Sequence, residues 1–581
     1  MKKKLEIKIL AALVFACVFA ISNRAQTKNI FVSSAGSDSN SGLSTSQPLK
    51  SINAAVKVSS AGDTIFIMPG VYKEIIYFNS KNGEPEKSIC LRGYPTNENK
   101  FPVIDGGLER PSNEASNDWM IFKNSSWIEI SNLRFVNGWT FPIKVENSSY
   151  LTFRNCKFYG SRRVINAGGI NTHHILIEKC FWDQGGDFLW RIEKDSEGVE
   201  AWLSMHHMSM GYFNGSLIDF HETGGSIVIR DNKIINAYNA LRFRGVKGYD
   251  SNVEIYNNDI SNIRDNDFEP EYYSYNLHIY HNRSHNVHKT LSVDNVEGGL
   301  IYYYGNIITS DSDSWTVRIC DGVWKLYGTE RKLSYPLYAF NNSLYTFGTA
   351  FWNMHGNEKY LKHFNNAYYF ASDKGWDLNE WDSTDVFDYD VSNKPFPKNI
   401  VENKQEVHGK IGGIKFNNPK KRDLTLQNGS AGLDAGKIIS LNEFEWTQKF
   451  EGKAPDAGAY ENGKLVEGPP FRFLLPQESK INYKEMPRIV RYYVEGNKAV
   501  IYFSDKMISS SVKKEFISLF KGERKLKVTS VSFPKNDYEM VIESETIPAD
   551  GELELSFTQM PVGMNGEKAT YWASTIKIRK G

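Results

Sequence analysis

The chain has 581 residues, which is long enough for more than one domain with a sizeable core. Its formal net charge of +1 gives no electrostatic basis for binding nucleic acid, so no nucleic-acid partner is expected. Five cysteines are too few for a fold that is built on disulfide bonds.

The first residues have the features of a secretory signal peptide. Lysines precede an uninterrupted apolar run over residues 9–21, and a small-residue cleavage site follows at Ala25. Cys17 lies inside the apolar run and not at its end, which disfavours a lipid anchor. No later segment has the roughly 18 uninterrupted apolar residues of a membrane span. We therefore expect residues 1–26 to be removed near Ala25 and the mature protein to be secreted or periplasmic, without a transmembrane segment.

Strand and turn signals open the mature chain. Residues 31–33 begin a strand, and residues 36–42 form a loop rich in Gly, Ser and Asn. Residues 51–56 have the pattern of a short helix with a serine cap. Turns that lead into short strands then recur as far as residue 107, which predicts a β-rich N-terminal segment.

Nine segments between residues 127 and 369 share a short alternating pattern, and most recur about 24 residues apart. This period with alternating strands predicts a stacked solenoid, a parallel β-helix, in which one side chain in two points inward. Asparagines at the bend of each coil should form a ladder that satisfies backbone groups left unpaired there. The shared column is Leu133, Cys156, Cys180, Asn232, Asn258, Asn282, Asn306, Asn342 and Asn366.

Both ends of this region resemble pectate-lyase-like right-handed parallel β-helix proteins. The start looks like their N-terminal cap and first coils, and the far end resembles a closing motif of secreted bacterial β-helix proteins. The resemblance implies an all-β, right-handed parallel β-helix over residues 27–462. It implies no single chemistry, because the superfamily includes lyases, hydrolases, epimerases and adhesins. The residues that carry it are 36–42, 51–56, 62–72, 430–436 and 455–461.

Two steps of the column depart from 24 and mark insertions. The step after Cys180 is 52 residues and the step after Asn306 is 36. Insertions in a solenoid form loops on one face, which is often the binding face. The longer insertion is expected to contact substrate, or else only to pack against the coils. Its candidate substrate contacts are Trp190, His206 and His207.

The C-terminal part has a different pattern. Residues 463–487 are rich in proline and aperiodic, which predicts a linker. Residues 488–581 contain short alternating strands that suit a small β-sandwich. Residues 502–507 resemble bacterial immunoglobulin-like modules that are appended to secreted enzymes, so an immunoglobulin-like domain is expected there.

Consecutive coils place charged residues on the strand that precedes each strand of the repeat. Alternation puts Leu241, Phe243 and Phe268 inward and the polar residues outward. Coils stack at about 4.8 Å, so the outward charges should gather into one cluster. The outward residues are Asp219, His221, Arg242, Arg244, Asp267, Glu269, Glu271, Asp294 and, one coil further, Arg318.

An active site is the favoured interpretation of this cluster, and a solvated ladder of surface ion pairs is the alternative. A proline between Glu269 and Glu271 argues against an ordinary ladder strand. Substrate contacts are assigned to His221, Asp294 and Arg318. The catalytic candidates are Glu269, Glu271, Asp219, Asp267, Arg242 and Arg244.

These residues suggest a monomeric enzyme that cleaves a polysaccharide, since sugar rings stack well on a surface in which 13% of residues are aromatic. The first hypothesis is a glycoside hydrolase with paired carboxylates, Glu269 with Glu271 or Asp219, acting with inversion. Arg242 and Arg244 would bind an acidic or sulfated sugar.

Two alternatives remain, a polysaccharide lyase and a non-catalytic glycan-binding surface protein. The lyase would use an arginine base and Ca²⁺ held by Glu269 and Glu271, the one cofactor that is expected. The alginate and dermatan lyases that the chain resembles carry a Glu-x-Glu followed by a Lys and, one coil later, an Arg-His pair. Here Asn276 and residues 292–294 stand at those positions, which lowers the weight of the lyase.

Overall fold

The computed structural model describes most of the chain after residue 26. The predicted signal peptide lies outside the described residues, as do Trp190, His206, His207 and Arg318. Within the described part, no helix is long and apolar enough to cross a membrane. The described residues are 27–85, 87–95, 97–109, 118–185, 214–249, 251–294, 296–314, 323–326, 333–353, 360–378, 382–477, 479, 481, 486–545, 547, 553–569 and 576–578.

Thirteen parallel strands, one for each successive coil, form sheet 1. Leu277 pairs with Ile301 and Ile279 with Tyr303, so the register follows the sequence period of 24. All four side chains are buried in the interior, as their alternation predicts. The strands are Asn29–Val32, Thr64–Ile67, Ile89–Gly93, Ser126–Ser131, Ser149–Arg154, His173–Glu178, Gly225–Arg230, Ser251–Tyr256, Tyr275–Tyr280, Gly299–Tyr304, Leu337–Phe340, Leu361–Phe364 and Val386–Asp388.

Sheet 2 contains 21 parallel strands in two rows and completes each coil. Two strands, Asp259–Tyr272 and Arg283–Ser292, run through both rows. The first row, which follows sheet 1 after a bend, contains Val71–Tyr72, Val103–Asp105, Arg134–Val136, Lys157–Tyr159, Phe181–Asp183, Lys233–Ala237, Ile307–Thr309, Ser343–Thr346, Ala367–Phe370, Val391–Ser392 and Lys410–Ile411. The second row, here called the site row, contains Ile76–Asn79, Met120–Lys123, Ile143–Glu146, Ile165–Gly168, Ile218–His221, Leu241–Gly245, Trp324–Leu326 and Phe351–Asn353.

The asparagine ladder is confirmed at the bend between sheet 1 and sheet 2. Asn232 donates to Asn258 Oδ1 from its backbone N (3.1 Å) and from Nδ2 (3.0 Å), and Asn258 donates to Asn282 in the same way. The pattern continues through Asn306, Asn342 and Asn366 and ends at Asp390. Sheet 1, the two rows of sheet 2 and this ladder therefore form one continuous solenoid, the predicted right-handed parallel β-helix.

Short elements close the two ends of the solenoid. The helix Ile52–Val58 is capped by Ser51, whose side chain accepts from the Ala54 N–H, and it packs on the first coils. The helix Lys398–Glu402 and three antiparallel strand pairs follow the last coil. These pairs are Phe416–Asn418 with Asp423–Leu426, Ser440–Leu441 with Trp446–Thr447, and Tyr460–Glu461 with Lys464–Leu465. The 3₁₀ helices are Glu98–Lys100, Pro419–Lys421, Asn442–Phe444, Ser509–Ser511 and Lys514–Phe516.

Part of the expected linker packs on the outward face of sheet 1. Leu474 N donates to Asn252 Oδ1 (2.7 Å), and the Arg472 carbonyl accepts from Asn276 Nδ2 (2.8 Å). Phe471 is buried against the ring of His278, 5.2 Å between centroids. This segment, residues 466–474 and here called the strap, contacts sheet 1 at irregular intervals along its length, so its sequence has no period.

The C-terminal residues form two four-stranded antiparallel sheets that share one apolar core. This arrangement confirms the predicted β-sandwich, while its assignment as immunoglobulin-like stays a prediction. The first sheet contains Ile489–Glu495, Lys498–Phe503, Glu539–Ser544 and Val528–Ser532. The second contains Arg524–Leu526, Ile517–Lys521, Leu553–Phe557 and Ile576–Ile578.

Candidate functional site

The site row brings the predicted charges together in two outward columns. Asp219 pairs with Arg242 and Arg242 with Glu269 on three successive coils. Beside this column, His221 pairs with Arg244 and Arg244 with Glu271. Between the columns, alternation buries the apolar residues, as predicted. Those buried residues are Leu241, Phe243 and Phe268.

Arg242 lies between the two glutamates of the Glu-Pro-Glu sequence. Its Nε is 3.0 Å from Glu269 Oε2 and donates to Glu271 Oε2 at 3.1 Å. Its Nη2 donates to Glu271 Oε1 at 3.0 Å, so Glu271 is held by two donors of one guanidinium group. Arg242 is therefore fixed by both glutamates. Burial lowers the pKa of its guanidinium group, but Glu269 and Glu271 outweigh burial and raise it, so Arg242 is a poor base.

Arg244 joins Glu271 to Asp219. Its Nε donates to Glu271 Oε2 at 3.2 Å and is 3.7 Å from Asp219 Oδ1. Arg163, which sequence reasoning missed, bonds Asp219 Oδ2 at 2.5 Å. Arg163 lies in a turn before the strand Ile165–Gly168, where no periodicity points to it. Asp219 is thus enclosed by two guanidinium groups, and its side chain is only 1% exposed.

Glu269 is buried beneath Arg242 and has hydrogen-bond donors on both oxygens. Asn239 Nδ2 donates to Oε2 and Asn266 Nδ2 donates to Oε1, each at 3.1 Å. Burial raises the pKa of Glu269 to about 8, against the lowering effect of Arg242 and with a further rise from Glu271. Sequence reasoning missed both asparagines: Asn239 lies in the turn before the strand Leu241–Gly245, and Asn266 lies at the register shift of the strand Asp259–Tyr272.

Asp294 is the most exposed carboxyl group of the cluster, and its partner is Lys325. Lys325 Nζ is 3.1 Å from Asp294 Oδ2. Burial raises the pKa of Asp294, which Lys325 lowers and Glu271 raises. The pKa of Lys325 is raised, because nearby carboxyl groups outweigh its burial. The side-chain exposures are Asp294 27%, Glu271 19%, Glu269 8% and Arg244 31%.

Asp267 does not lie on the outward face, so its predicted place in the cluster is wrong. Its side chain is fully buried and accepts from Ser284 Oγ at 2.5 Å. Burial raises its pKa well above the usual range of an aspartate. The register of the strand Asp259–Tyr272 shifts between Ile263 and Asn266, so simple alternation fails just before Phe268.

An open cleft lies on the N-terminal side of the cluster. It has a volume of about 480 Å³, and His221 lies on its rim. His221 pairs with Gly168 on the preceding coil, so the cleft and the charged columns are continuous. A cleft that leads into charged side chains has the form of a ligand site. The other lining residues are Phe141, Lys144, Val145, Glu146, Asn147, Asn166, Gly169 and Glu222.

The residues proposed to hold Ca²⁺ do not fit that ion. The oxygens of Glu269 and Glu271 are bound by guanidinium and amide N–H donors, which would have to leave before a cation could enter. Among the residues that the structure describes, no three His, Cys, Asp or Glu side chains gather as metal ligands.

Comparison with known proteins gives similarity at the level of solved structures. No protein-family model and no curated protein sequence matches the chain. Pectate lyase Pel9A is 14% identical, with a TM-score of 0.33, over 76% of this chain and 98% of its own. The complex of XylC with xylose is 13% identical, with a TM-score of 0.37, over 95% and 100%. GH136 lacto-N-biosidase from Eubacterium ramulus is 12% identical, with a TM-score of 0.32, over 60% and 70%.

Similarity at this level assigns no family and no activity to the chain. The fold conclusion rests on the strand order and register described above, and the chemistry has to be argued from the site. On that basis the chain is a right-handed parallel β-helix with a dense, partly buried cluster of acids and bases on one outward face.

Proposed function

We propose that this protein is a carbohydrate-active enzyme that cleaves a polysaccharide lying along the site row, by hydrolysis of a glycosidic bond. The observation that carries the proposal is a pair of accessible carboxyl groups, Glu271 and Asp294, in unlike environments on the coils that follow the open cleft. Hydrolysis of glycosides uses two such carboxyl groups, one as the acid and one as the nucleophile or base.

The environments of the pair support an assignment of roles. Burial raises the pKa of Asp294, which suits a group that donates a proton to the leaving oxygen. Glu271 accepts three N–H bonds from Arg242 and Arg244, which suits a group that acts as a carboxylate. Asp294 thus changes from an expected substrate contact to the proposed acid.

The spacing of the pair supports retention of configuration. Phe268 pairs with Leu291 and Tyr272 with Val296, so Glu271 and Asp294 occupy neighbouring coils, whose strands lie about 4.8 Å apart. A separation of about 5 Å fits a retaining enzyme. In the expected inverting pair, Glu269 Oε2 and Glu271 Oε2 lie 3.0 Å and 3.1 Å from the same nitrogen, Arg242 Nε. These two oxygens therefore cannot be as far apart as the ~6.5 Å that inversion needs.

A lyase remains the second candidate because of His221. This side chain is exposed on the cleft rim and pairs with Arg244, the most exposed cation of the charged columns. An imidazole could remove the proton beside a uronate while the guanidinium group neutralises the carboxylate. His221 is a better base than either arginine, since Arg242 and Arg244 are both committed to Glu271.

A polysaccharide panel tests the proposal with two readouts. New reducing ends report any cleavage, and ultraviolet absorbance of an unsaturated uronate reports elimination alone. For a hydrolase, reducing ends appear without that absorbance, and Asp294→Asn and Glu271→Gln each lower turnover by about 10²-fold or more. The matched control is Glu402→Gln, which removes a surface carboxyl group on the helix Lys398–Glu402.

The other outcomes select among the alternatives. The enzyme would be a lyase if the ultraviolet absorbance accompanies every product, disappears in His221→Ala and persists in Asp294→Asn. Binding without cleavage across the panel would favour the glycan-binding surface protein.

A further inference from the structure

The column of His221, Arg244 and Glu271 has a gap at Gly168. On the coils that precede His221, Glu146 pairs with Gly168 and Gly168 with His221, so a position without a side chain stands between two long polar ones. Glu146 and His221 are two coils apart, roughly 9.6 Å along the solenoid. A Cβ at position 168 would lie 3.3 Å from His221 Nε2, so any larger side chain would enter the space beside the imidazole.

The cations at this gap are already paired. Lys144 Nζ is 2.8 Å from Asp118 Oδ2, and Arg163 bonds Asp219 Oδ2 while its guanidinium group lies 5.2 Å from the centre of the Phe141 ring. An acidic sugar would therefore find no unpaired arginine or lysine among the described residues that line the cleft.

The anions at the gap are placed differently. Glu146 and Glu222 are exposed on its rim, and neither forms an ion pair with any residue that the structure describes. Carboxylates accept strong hydrogen bonds from hydroxyl groups and repel other carboxylates. Asn147 and Asn166 add amide donors and acceptors, and the half-buried Phe141 ring adds an apolar surface.

We infer that the cleft at Gly168 is a subsite for a neutral pyranose residue of the substrate, next to the charged columns. Its volume of about 480 Å³ is in the range of small-ligand pockets. The inference rests on the proposed function for the substrate being a glycan. A bound substrate chain would therefore place its neutral sugar on the coils that precede those of Arg244 and Glu271.

Saturation-transfer NMR with simple sugars tests this subsite independently of catalysis. The probes are methyl β-galactopyranoside and methyl β-glucopyranoside as neutral sugars, glucuronic acid as the acidic one and glucosamine as the basic one. The neutral glycosides are expected to receive saturation, and Gly168→Gln is expected to abolish it. Gly375→Gln, at a glycine where a Cβ would meet only Lys394 at 3.8 Å, is the matched control.

A charge-reversal variant keeps the test decisive if Gly168→Gln does not fold. The double variant E146K/E222K should lose none of the fold, since both side chains are exposed, and should gain saturation of glucuronic acid. Saturation of only glucuronic acid or only glucosamine by the unaltered protein, or of no probe at all, would overturn the inference. Glu271→Gln separates the two proposals, because it should stop cleavage and leave the neutral-sugar signal unchanged.

Discussion

At the scale of single residues, Arg242 organises the charged cluster. It bonds Glu271 through two nitrogens and Glu269 through one, and Glu269 is held in turn by Asn239 and Asn266. Among the described residues the partners of Glu269 are all N–H donors, and this contact set favours the ionised form, with both oxygens as acceptors, against the burial that raises its pKa. We therefore regard Glu269 as a positioning residue that fixes Arg242, and through it Glu271.

The variant Glu269→Gln tests this role. A glutamine would turn one acceptor oxygen into an amide donor that faces other donors, leaving buried N–H groups without acceptors. We expect a loss of about 1 to 3 kcal/mol in the free energy of unfolding and roughly 10²-fold in turnover, measured by chemical denaturation and steady-state kinetics.

The comparison with Asp294→Asn distinguishes positioning from proton transfer. Asp294→Asn should lower turnover with little effect on stability, because its carboxyl group is more exposed and, among the described residues, is paired with Lys325 alone. Full turnover in Glu269→Gln would show that the contacts of Glu269 with Arg242 are not needed for catalysis.

Sequence reasoning found most of the cluster because alternation and a constant period determine which side chains share a face. It placed Asp219, Arg242 and Glu271 together for that reason. It misplaced Asp267, where the register shifts, and it missed Arg163 and Lys325. Arg163 lies in a turn and Lys325 in a short strand after an insertion, and neither position has a periodic signal.

At the scale of elements, the asparagine ladder ties neighbouring coils together. Asn258 Oδ1 accepts two N–H bonds from Asn232, and its Nδ2 donates to the Ile229 carbonyl at 3.1 Å and to Asn282 Oδ1 at 2.9 Å. Each asparagine thus satisfies backbone groups of two coils at the point where the chain turns.

Replacing one rung should be costly. We expect Asn258→Ala and Asn282→Ala each to lower the free energy of unfolding by roughly 1 to 3 kcal/mol, because each leaves buried donors and acceptors unpaired. Chemical denaturation measures the loss. Asn417→Ala, which removes an exposed bond to Thr425, is the control and should cost less. Equal stability of all three variants and the unaltered protein would contradict the ladder's contribution.

The sequence predicted the solenoid through this ladder, because asparagines that recur about 24 residues apart mark one coil after another. It did not predict the strap. Residues 466–474 contact coils that are distant in sequence, and their contacts follow no regular spacing that a sequence pattern could report.

At the scale of the whole molecule, the strap lies between the solenoid and the sandwich. Val466 accepts from His281 Nε2 at 2.8 Å, and Phe471 is buried between His278 and the Arg488 guanidinium group. The boundary expected near Gly463 therefore falls before a segment that completes the surface of sheet 1.

Two truncations test this point. A chain that ends after Gly463 should lose about 2 kcal/mol or more of stability, since it lacks Phe471 and exposes the aromatic face that Phe471 covers. A chain that ends after Gln477 should keep the strap and most of that stability. Thermal melting and binding of a hydrophobic dye compare the two, and identical behaviour would show that the strap contributes nothing to the solenoid.

The pH dependence of stability follows from Glu254, which lies on the outward face of sheet 1. Burial raises its pKa to about 7, against lowering by Arg488, by a bond from the Tyr280 hydroxyl and by Arg230 and Arg491. The folded protein therefore binds a proton that the unfolded chain has released. This contribution is fully present below the unfolded pKa and is lost as pH rises through about 7.

Glu254→Gln should remove that dependence. We expect the melting temperature of the variant, relative to the unaltered protein, to increase between about pH 5 and about pH 8. The exposed variant Glu402→Gln should show no such trend. A difference that stays constant over this range would mean that Glu254 does not change its protonation between the folded and unfolded states.

The last rung of the ladder has a consequence for self-assembly. Asp390 accepts from the N and Nδ2 of Asn366 and from His363 Nδ1, and its own backbone N donates to Glu406. A carboxylate has no N–H to pass to a further rung. At the other end the column turns apolar at Cys156 and Leu133. A second molecule stacked on the last coil therefore cannot extend the hydrogen-bonded column of side chains, which disfavours end-to-end addition of coils at that end.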